Sequence, residues 1–179
     1  MTEIASKEKL IVALKDSNQR AAAWFHDIPP GDFFARQGEV WSASDNLDHL
    51  IKAVKPITKA LKLPKITLQA IFGKPEKVSM TYEELCSVYR DAIARGGQAS
   101  GRYLPDQQTP LENAGEQKKI LVDQWLMASG ELVSAAEPWE EEDLDRYQLP
   151  HPLLGKLTIR EILFFVIYHN LRHASQEGD

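Results

Sequence analysis

Cysteine and clustered positive charge are scarce in this sequence. It contains one cysteine, Cys86, so an internal disulfide is excluded and a reducing, cytoplasmic location is favoured. The formal net charge is −5 and the isoelectric point is about 5.6, with lysine and arginine scattered along the chain. Because binding a phosphate backbone requires clustered basic side chains, we expect no nucleic-acid partner.

Long apolar segments are also missing. Residues 1–9 mix charged and polar side chains and lack the apolar core of a signal peptide. The longest apolar run, Ile162–Tyr168, is far shorter than the ~20 residues that cross a bilayer. We therefore expect a soluble protein without a membrane partner.

Neither internal repeats nor clean alternating strand patterns occur, whereas helical periodicity is frequent. The length and the 43% apolar content fit one globular domain over residues 1–179. Capping boxes mark helix starts at Thr81/Glu84, Thr109/Glu112 and Thr158/Glu161. Periodicity and breakers predict helices from about Ser6 to His26, from near Ser42 or Ser44 to about Leu61, from Thr81 to Gly96, from Thr109 to about Ala136, and from Thr158 to about Gln176.

These elements predict an all-α fold in which the first, second, fourth and last helices form a bundle. Residues 63–105 are then an insertion within the domain. Within it, Leu63–Met80 is predicted as a loop with one short helical turn. The acidic run Glu140–Asp145 and the residues Pro150 to Gly155 are predicted as solvated loop or turn.

The last helix carries the sharpest functional signal. His169 and His173 are four residues apart, so both project from the face that also carries Ile162 and Phe165. Burying two imidazoles requires partners for their nitrogens, and one metal ion or neighbouring carboxylates and carbonyls would serve equally. Asn170 follows His169 where a zincin needs glutamate, which excludes that class of metalloprotease.

His49 is weaker evidence by itself, because it lies away from the centre of the apolar stripe on the second helix. Its side of the helix, shared with Asp45 and Ala53, either lines a pocket or faces water. Asp45 precedes it by one turn and could orient the imidazole or favour the helix N-terminus by its charge. His26 and His151 are not predicted as ligands.

Taken in order, several segments resemble the DinB superfamily of DinB/YfiT-like metalloenzymes. They are Trp41-Ser42, Leu47-Asp48-His49-Leu50, residues 151–158, His169 to His173, and Gln176. The resemblance implies a four-helix bundle of up-down-down-up order with an inserted helical segment between the second and third core helices. It also implies a possible homodimer.

The same resemblance implies a divalent metal site, with zinc or nickel bound by His49, His169 and His173. Members of the superfamily include S-transferases and an isomerase that use a low-molecular-weight thiol. We therefore expect a metal-dependent enzyme acting on a small molecule, either a thiol S-transferase or a hydrolase. A metal- or ligand-binding stress-response protein without catalysis is the alternative, and a helical bundle without metal is the third reading.

Three further residues are predicted to assist catalysis from their proximity in sequence. Asp45 is a candidate ring orienter or base, Tyr168 a candidate proton donor, and Arg172 a candidate anion-binding residue. Tyr168 and Arg172 could equally lie on another face of the last helix and serve packing or solubility.

Overall fold

The computed structural model describes residue 4, residues 6–106 and residues 113–174. These residues form eight α-helices, one 3-10 turn and one two-stranded antiparallel sheet. The helices are α1 (Lys7–Asp27), α2 (Pro30–Phe33), α3 (Ala43–Leu61), α4 (Lys65–Phe72), α5 (Tyr82–Ala94), α6 (Ala114–Ala136), α7 (Asp143–Arg146) and α8 (Ile159–His173); the strands are β1 (Gln148–His151) and β2 (Gly155–Thr158), and the 3-10 turn is Gly101–Tyr103.

Helices α1 and α6 run in opposite directions. Near one end of the pair, Lys15 Nζ lies 2.7 Å from Glu137 Oε1. At the other end, Lys118 Nζ donates to the carbonyl oxygen of His26. Residues at the end of α6 therefore lie beside the first half of α1, and residues at the start of α6 lie beside the end of α1.

The other two long helices complete the bundle. Trp139, just after α6, donates from Nε1 to the carbonyl oxygen of Leu61 at the end of α3, so α3 and α6 run in the same direction. Lys7 and Arg160, at the starts of α1 and α8, both bind Glu141, so α1 and α8 also share a direction. The predicted up-down-down-up order is therefore confirmed.

The bundle is held together by one apolar core to which all four long helices contribute. Trp125 of α6 is fully buried, and its indole N–H donates to the carbonyl oxygen of Asn18 at 3.2 Å. That bond satisfies the polar group of the largest core side chain. Fully buried partners from the other helices include Leu10, Leu14, Phe25, Leu47, Leu50 and Leu163.

Two of the three predicted capping boxes are present. Thr81 accepts a hydrogen bond from the backbone N–H of Glu84, and Thr158 accepts one from Glu161, with the reciprocal bonds also formed. The third box, Thr109/Glu112, lies outside the described residues, as does Gln176. A box at Ser42 and Asp45 starts α3 and fixes the helix start that the sequence left between Ser42 and Ser44.

Residues 148–158 differ from the prediction, because they form the β1–β2 hairpin instead of a loop. His151 pairs with Gly155, and Gly155 has φ of 76°, a conformation that glycine adopts without steric cost. Strands of four residues are too short to show clear alternation in sequence. The predicted turn after Leu63 is also longer than expected, since α4 makes two turns after Pro64.

No described helix could span a membrane. None combines the length and the apolar character that a bilayer span requires.

Candidate metal centre

Three imidazoles from two helices meet at one point. His49 lies on α3, and His169 and His173 lie one turn apart on α8. The ring centroids are 4.9 Å apart for His49 and each of the other two, and 4.5 Å apart for His169 and His173. The antiparallel packing of α3 and α8 thus brings together residues separated by more than one hundred positions.

The ring nitrogens are close enough to share one ion. His49 Nε2 lies 3.0 Å from His169 Nε2, and one nitrogen from each of the three residues lies within 4.8 Å of the others. Tetrahedral bonds of 2.0–2.1 Å separate neighbouring ligand nitrogens by about 3.4 Å. The donor set and its spacing therefore fit a divalent metal ion.

A backbone carbonyl orients the ring of His49. His49 Nδ1 lies 2.6 Å from the carbonyl oxygen of Tyr103, at the end of the 3-10 turn. A carbonyl oxygen only accepts hydrogen bonds, so Nδ1 carries the proton in the neutral ring. Nε2 is then left with its lone pair directed at the other histidines, which is the form that binds metal.

The amide of Asn46 orients His173 in the same way. His173 Nδ1 donates to Asn46 Oδ1 at 2.6 Å. The amide nitrogen of Asn46 donates to the carbonyl oxygens of Ser42 at 2.9 Å and Trp41 at 3.4 Å, which fixes its oxygen toward the imidazole. Two of the three rings are therefore held in the metal-binding tautomer by neighbouring groups.

Burial favours the neutral form of His49 and His169. Loss of solvent lowers the pKa of His49 and outweighs the hydrogen bond to Tyr103, which raises it. Burial also lowers the pKa of His169 far below its ordinary value, and the positive charges that His173 and His49 would carry add to the effect. Neutral imidazole is the ligand form, so protons compete weakly with a metal at these two residues.

Two of the three imidazole rings are stacked against aromatic side chains. Trp41 stacks on His173 with centroids 6.3 Å apart and an interplanar angle of 23°, and Phe165 stacks on His169 at 4.7 Å and 28°. These contacts restrict ring rotation and limit the access of water, which strengthens electrostatic interactions at the centre.

The histidines form part of the wall of a cavity of about 510 Å³. Most of its other described walls are apolar, including Trp41, Ala53, Ile57, Ile93, Leu153 and Phe165. No carboxylate is found among the described residues that line it. A pocket of this size suits a small molecule, and Arg172 is the one lysine or arginine side chain among the described residues that line it.

Asp45 lies in the capping box at the start of α3, which matches the second of the two roles suggested by the sequence, and it is bonded to no histidine among the described residues. It is fully buried, and its carboxylate accepts bonds from Arg36 Nε at 2.6 Å and Nη2 at 2.8 Å, besides those from Ser42. Burial by itself would raise the pKa of Asp45, but hydrogen bonds from Arg36 and Ser42 outweigh it and hold the pKa below its usual value. Asn46, the next residue, is the one that orients an imidazole.

Of the other two predicted catalytic residues, Arg172 is among the described residues that line the cavity and Tyr168 is not. Arg172 lines the cavity, and its guanidinium carbon lies 5.9 Å from the centre of the Tyr89 ring. Tyr168 packs with its ring 5.8 Å from Tyr89, and it is not among the described residues lining the cavity. Their catalytic roles stay predictions.

His151 and Tyr103 were not singled out by the sequence as residues of the site. His151 lines the same cavity but lies outside the three-ring cluster, while His26 is an exposed residue at the end of α1. Tyr103 acts through its carbonyl oxygen, which any residue type could supply, so no side-chain pattern would reveal it. For His151, the available signals are its place between two prolines ahead of the last helix and its position at the start of a segment that resembles the DinB superfamily.

Comparison with known proteins identifies relatives for most of the chain. A family model described as the DinB superfamily matches residues 13–176. The protein YuaE of Bacillus subtilis (strain 168) is 29% identical over 142 residues, which cover 77% of this chain and 75% of YuaE. The family match spans both helices that carry the three histidines.

A solved structure aligns with nearly the whole chain. It is the colibactin self-resistance protein ClbS in complex with a dsDNA, aligned over 95% of this chain and 91% of ClbS with a TM-score of 0.49 and 16% identity. At that distance the alignment assigns no ligand to this chain.

The prediction that excluded a nucleic-acid partner was wrong. ClbS is described in complex with a dsDNA, which conflicts with that prediction. Neither the net charge nor the scatter of basic residues along the sequence excludes such a partner, because nucleic-acid binding depends on how charge is distributed over one folded surface.

Proposed function

The chain belongs to the DinB superfamily, and we propose that it is a metal-dependent enzyme that transfers a low-molecular-weight thiol to a small molecule. Its metal, zinc or nickel, would be held by His49, His169 and His173. The observation that carries the proposal is the convergence of three ring nitrogens within 4.8 Å at the wall of a small-molecule cavity.

The ligand set supports a catalytic site over a purely structural one. Structural zinc sites close the coordination sphere with four protein ligands, whereas catalytic sites use three and leave a position open. The described residues offer three ligand atoms here, and the cavity reaches them. A small molecule in the cavity could therefore approach the ion directly.

The cavity chemistry favours thiol transfer over hydrolysis. A bound divalent ion supplies Lewis acidity and favours the anionic form of a thiol or of water beside it. Among the described lining residues no carboxylate stands ready as a general base for water. A thiol held by such an ion would be deprotonated outright, whereas bound water would keep a pKa of about 7 and would gain more from a general base.

The chain itself contributes orientation and charge. Tyr103 and Asn46 keep the nitrogens of His49 and His173 directed inward. Arg172, at the cavity wall, would bind an anionic group of the thiol or of its acceptor. The apolar walls exclude water from the reacting atoms and so protect an activated thiol.

One alternative remains supported by the same cavity. A mostly apolar pocket without a carboxylate could hold a ligand without converting it, as a non-catalytic metal- or ligand-binding stress-response protein would. Turnover separates the two functions, whereas metal binding does not.

Metal content is the first test. Untagged protein is analysed for metals beside His49→Ala and His173→Ala, with His26→Ala as the matched control because the His26 side chain is 78% exposed. We expect about one divalent ion per chain in the wild type and the control, and a sharp loss in the two site variants. Full occupancy in both site variants would refute the three-histidine site.

Activity is the second test. The zinc- and nickel-loaded proteins are assayed with several low-molecular-weight thiols against epoxides and other electrophiles, following loss of free thiol. We expect metal-dependent consumption with at least one thiol. A metal-loaded protein that consumes none of them would favour the non-catalytic alternative.

A further inference from the structure

His151 is a second polar group of the cavity, distinct from the three-histidine cluster. It ends β1, and its ring lies 4.3 Å from the ring of Phe165, measured between centroids. Phe165 in turn stacks 4.7 Å from His169. His151 therefore lies one aromatic ring beyond the cluster, at the wall of the same cavity.

The turn of the hairpin fixes which nitrogen of His151 carries its proton. The backbone N–H groups of Leu153 and Leu154 both donate to His151 Nδ1, each at 3.2 Å. A nitrogen that accepts two hydrogen bonds carries no proton, so the hydrogen of the neutral ring is on Nε2. Burial supports this state by lowering the pKa of His151 to about 4.

The Nε2–H group lacks an acceptor in the part of the chain that the structure describes. The residue is 8% exposed, the rings of Phe165 and Tyr89 lie against it in T-shaped arrangements, and no described residue is hydrogen-bonded to Nε2. Among the described residues, Nε2 is not one of the fully enclosed polar atoms that lack a partner, so it keeps some access to solvent, and a donor in such a place is normally paired with water or a ligand. The open side of His151 is the cavity, so the acceptor would come from its occupant.

We propose that His151 binds the substrate, donating a hydrogen bond from Nε2 to an uncharged oxygen, such as a carbonyl or ether oxygen, of a largely apolar small molecule. An uncharged acceptor fits because a neutral imidazole offers a hydrogen bond but no positive charge to offset the lost hydration of a carboxylate placed against it. The assignment rests on the proposed function in one respect only, that the other end of the molecule reaches the three histidines.

One substitution separates the donor from the structural role of the ring. Asparagine at this position places its Oδ1 close to where Nδ1 lies, so His151→Asn keeps an acceptor for Leu153 and Leu154 and removes the Nε2–H donor. Circular dichroism and urea unfolding check that the variant is folded. The tautomer itself is read in the wild type from long-range 1H–15N NMR spectra of the imidazole, and a proton on Nδ1 would overturn the inference.

The binding test uses a matched pair of probes on metal-free protein. 4-Methylacetophenone carries an acceptor oxygen, whereas 4-ethyltoluene has a similar shape without one. NMR titration gives the Kd of each probe, and the ratio of the hydrocarbon Kd to the ketone Kd measures the preference for the ketone. We expect this ratio to be on the order of tenfold larger for the wild type than for His151→Asn. Equal ratios in the two proteins would overturn the inference.

A second pair separates this inference from the metal proposal. 4-Mercaptoacetophenone and 4-ethylthiophenol are titrated into cobalt-loaded protein, where a sulfur-to-cobalt absorption band reports sulfur on the metal. No band, together with a ketone preference in the first pair, would count against the metal proposal and leave His151 supported. If both thiols give the absorption band and neither pair shows a preference for the ketone, the metal proposal would stand and the proposed hydrogen bond from His151 would be overturned.

Discussion

His173 Nδ1 donates a 2.6 Å hydrogen bond to the amide oxygen of Asn46, and this bond joins the start of α3 to the end of α8. Asn46 is itself fixed by the carbonyl oxygens of Trp41 and Ser42, which precede α3. The capping geometry of one helix therefore sets the ring orientation of a proposed metal ligand on another. Such outer partners of metal-binding histidines strongly affect affinity.

The first prediction concerns Asn46. Replacing it with alanine should weaken zinc binding roughly 10- to 100-fold, because the His173 ring loses the acceptor that fixes its tautomer and orientation. Affinity is measured by competition with a chromophoric chelator. Helical content should change little, since Asn46 is a half-buried side chain outside the apolar core.

The conservative variant Asn46→Asp provides the control. A carboxylate keeps an acceptor for His173 Nδ1, so most of the zinc affinity should return although the bonds to the Trp41 and Ser42 carbonyls are lost. If the alanine variant binds zinc as tightly as the wild type, the orienting role of Asn46 is wrong.

The second prediction assigns Asp45 to stability. Asp45→Ala removes the capping box of α3 and leaves the Arg36 guanidinium without its partner, so the free energy of unfolding should fall by about 2–3 kcal/mol. Urea unfolding at pH 7 measures this. Asp16→Ala, at an exposed carboxylate, is the control and should change stability by less than about 0.5 kcal/mol.

The zinc affinity of the folded Asp45→Ala protein should stay within a few-fold of the wild type, because the carboxylate is bonded to Arg36 and Ser42 and to no histidine among the described residues. A hundredfold loss of zinc affinity with unchanged stability would instead support the orienting role that the sequence suggested.

Asp45 and Asn46 illustrate how much of the site the sequence could supply. The i, i+4 spacing of His169 and His173 predicts their shared face from helix geometry alone. The choice between Asp45 and Asn46 depends on where Arg36 and His173 arrive from distant parts of the chain. Sequence spacing within one helix carries no information about such partners.

In the fold as well, features that depend on local sequence were predictable and features that depend on distant contacts were not. Long helices with capping boxes were predictable because their signals are local, as α5 and α8 demonstrate. The β1–β2 hairpin was not, because its four-residue strands depend on pairing with each other and on packing against α4 and α8. Its discovery matters for function, since the hairpin turn sets the tautomer of His151.

The third prediction is that zinc stabilises the folded state. A ligand that binds only the native protein adds about 2.7 kcal/mol to the free energy of unfolding at one hundred times its Kd. Thermal unfolding with and without saturating zinc should show a clear rise in Tm for the wild type and for His26→Ala. His173→Ala should show little rise, and a rise equal to that of the wild type would place the zinc elsewhere.

The fourth prediction concerns the pH dependence of stability. The pKa of His151 is about 4 in the folded state, whereas an unperturbed histidine titrates near 6.5. As the pH falls from about 6.5 to 4, the unfolded chain therefore binds a proton that the folded chain does not, and the free energy of unfolding decreases. Above about 6.5 both states are neutral at this residue, and it contributes no pH dependence.

His151→Asn should remove this part of the acid destabilisation, which amounts to as much as about 3 kcal/mol near pH 4. The measurement is urea unfolding of metal-free protein at pH 7.5, 5.5 and 4.5, with His26→Ala as the control at an exposed histidine. His49 and His169, whose pKa values are also lowered by burial, should keep the slope of the variant above zero. If the slope of His151→Asn equals that of the wild type, the imidazole is not held neutral by the fold.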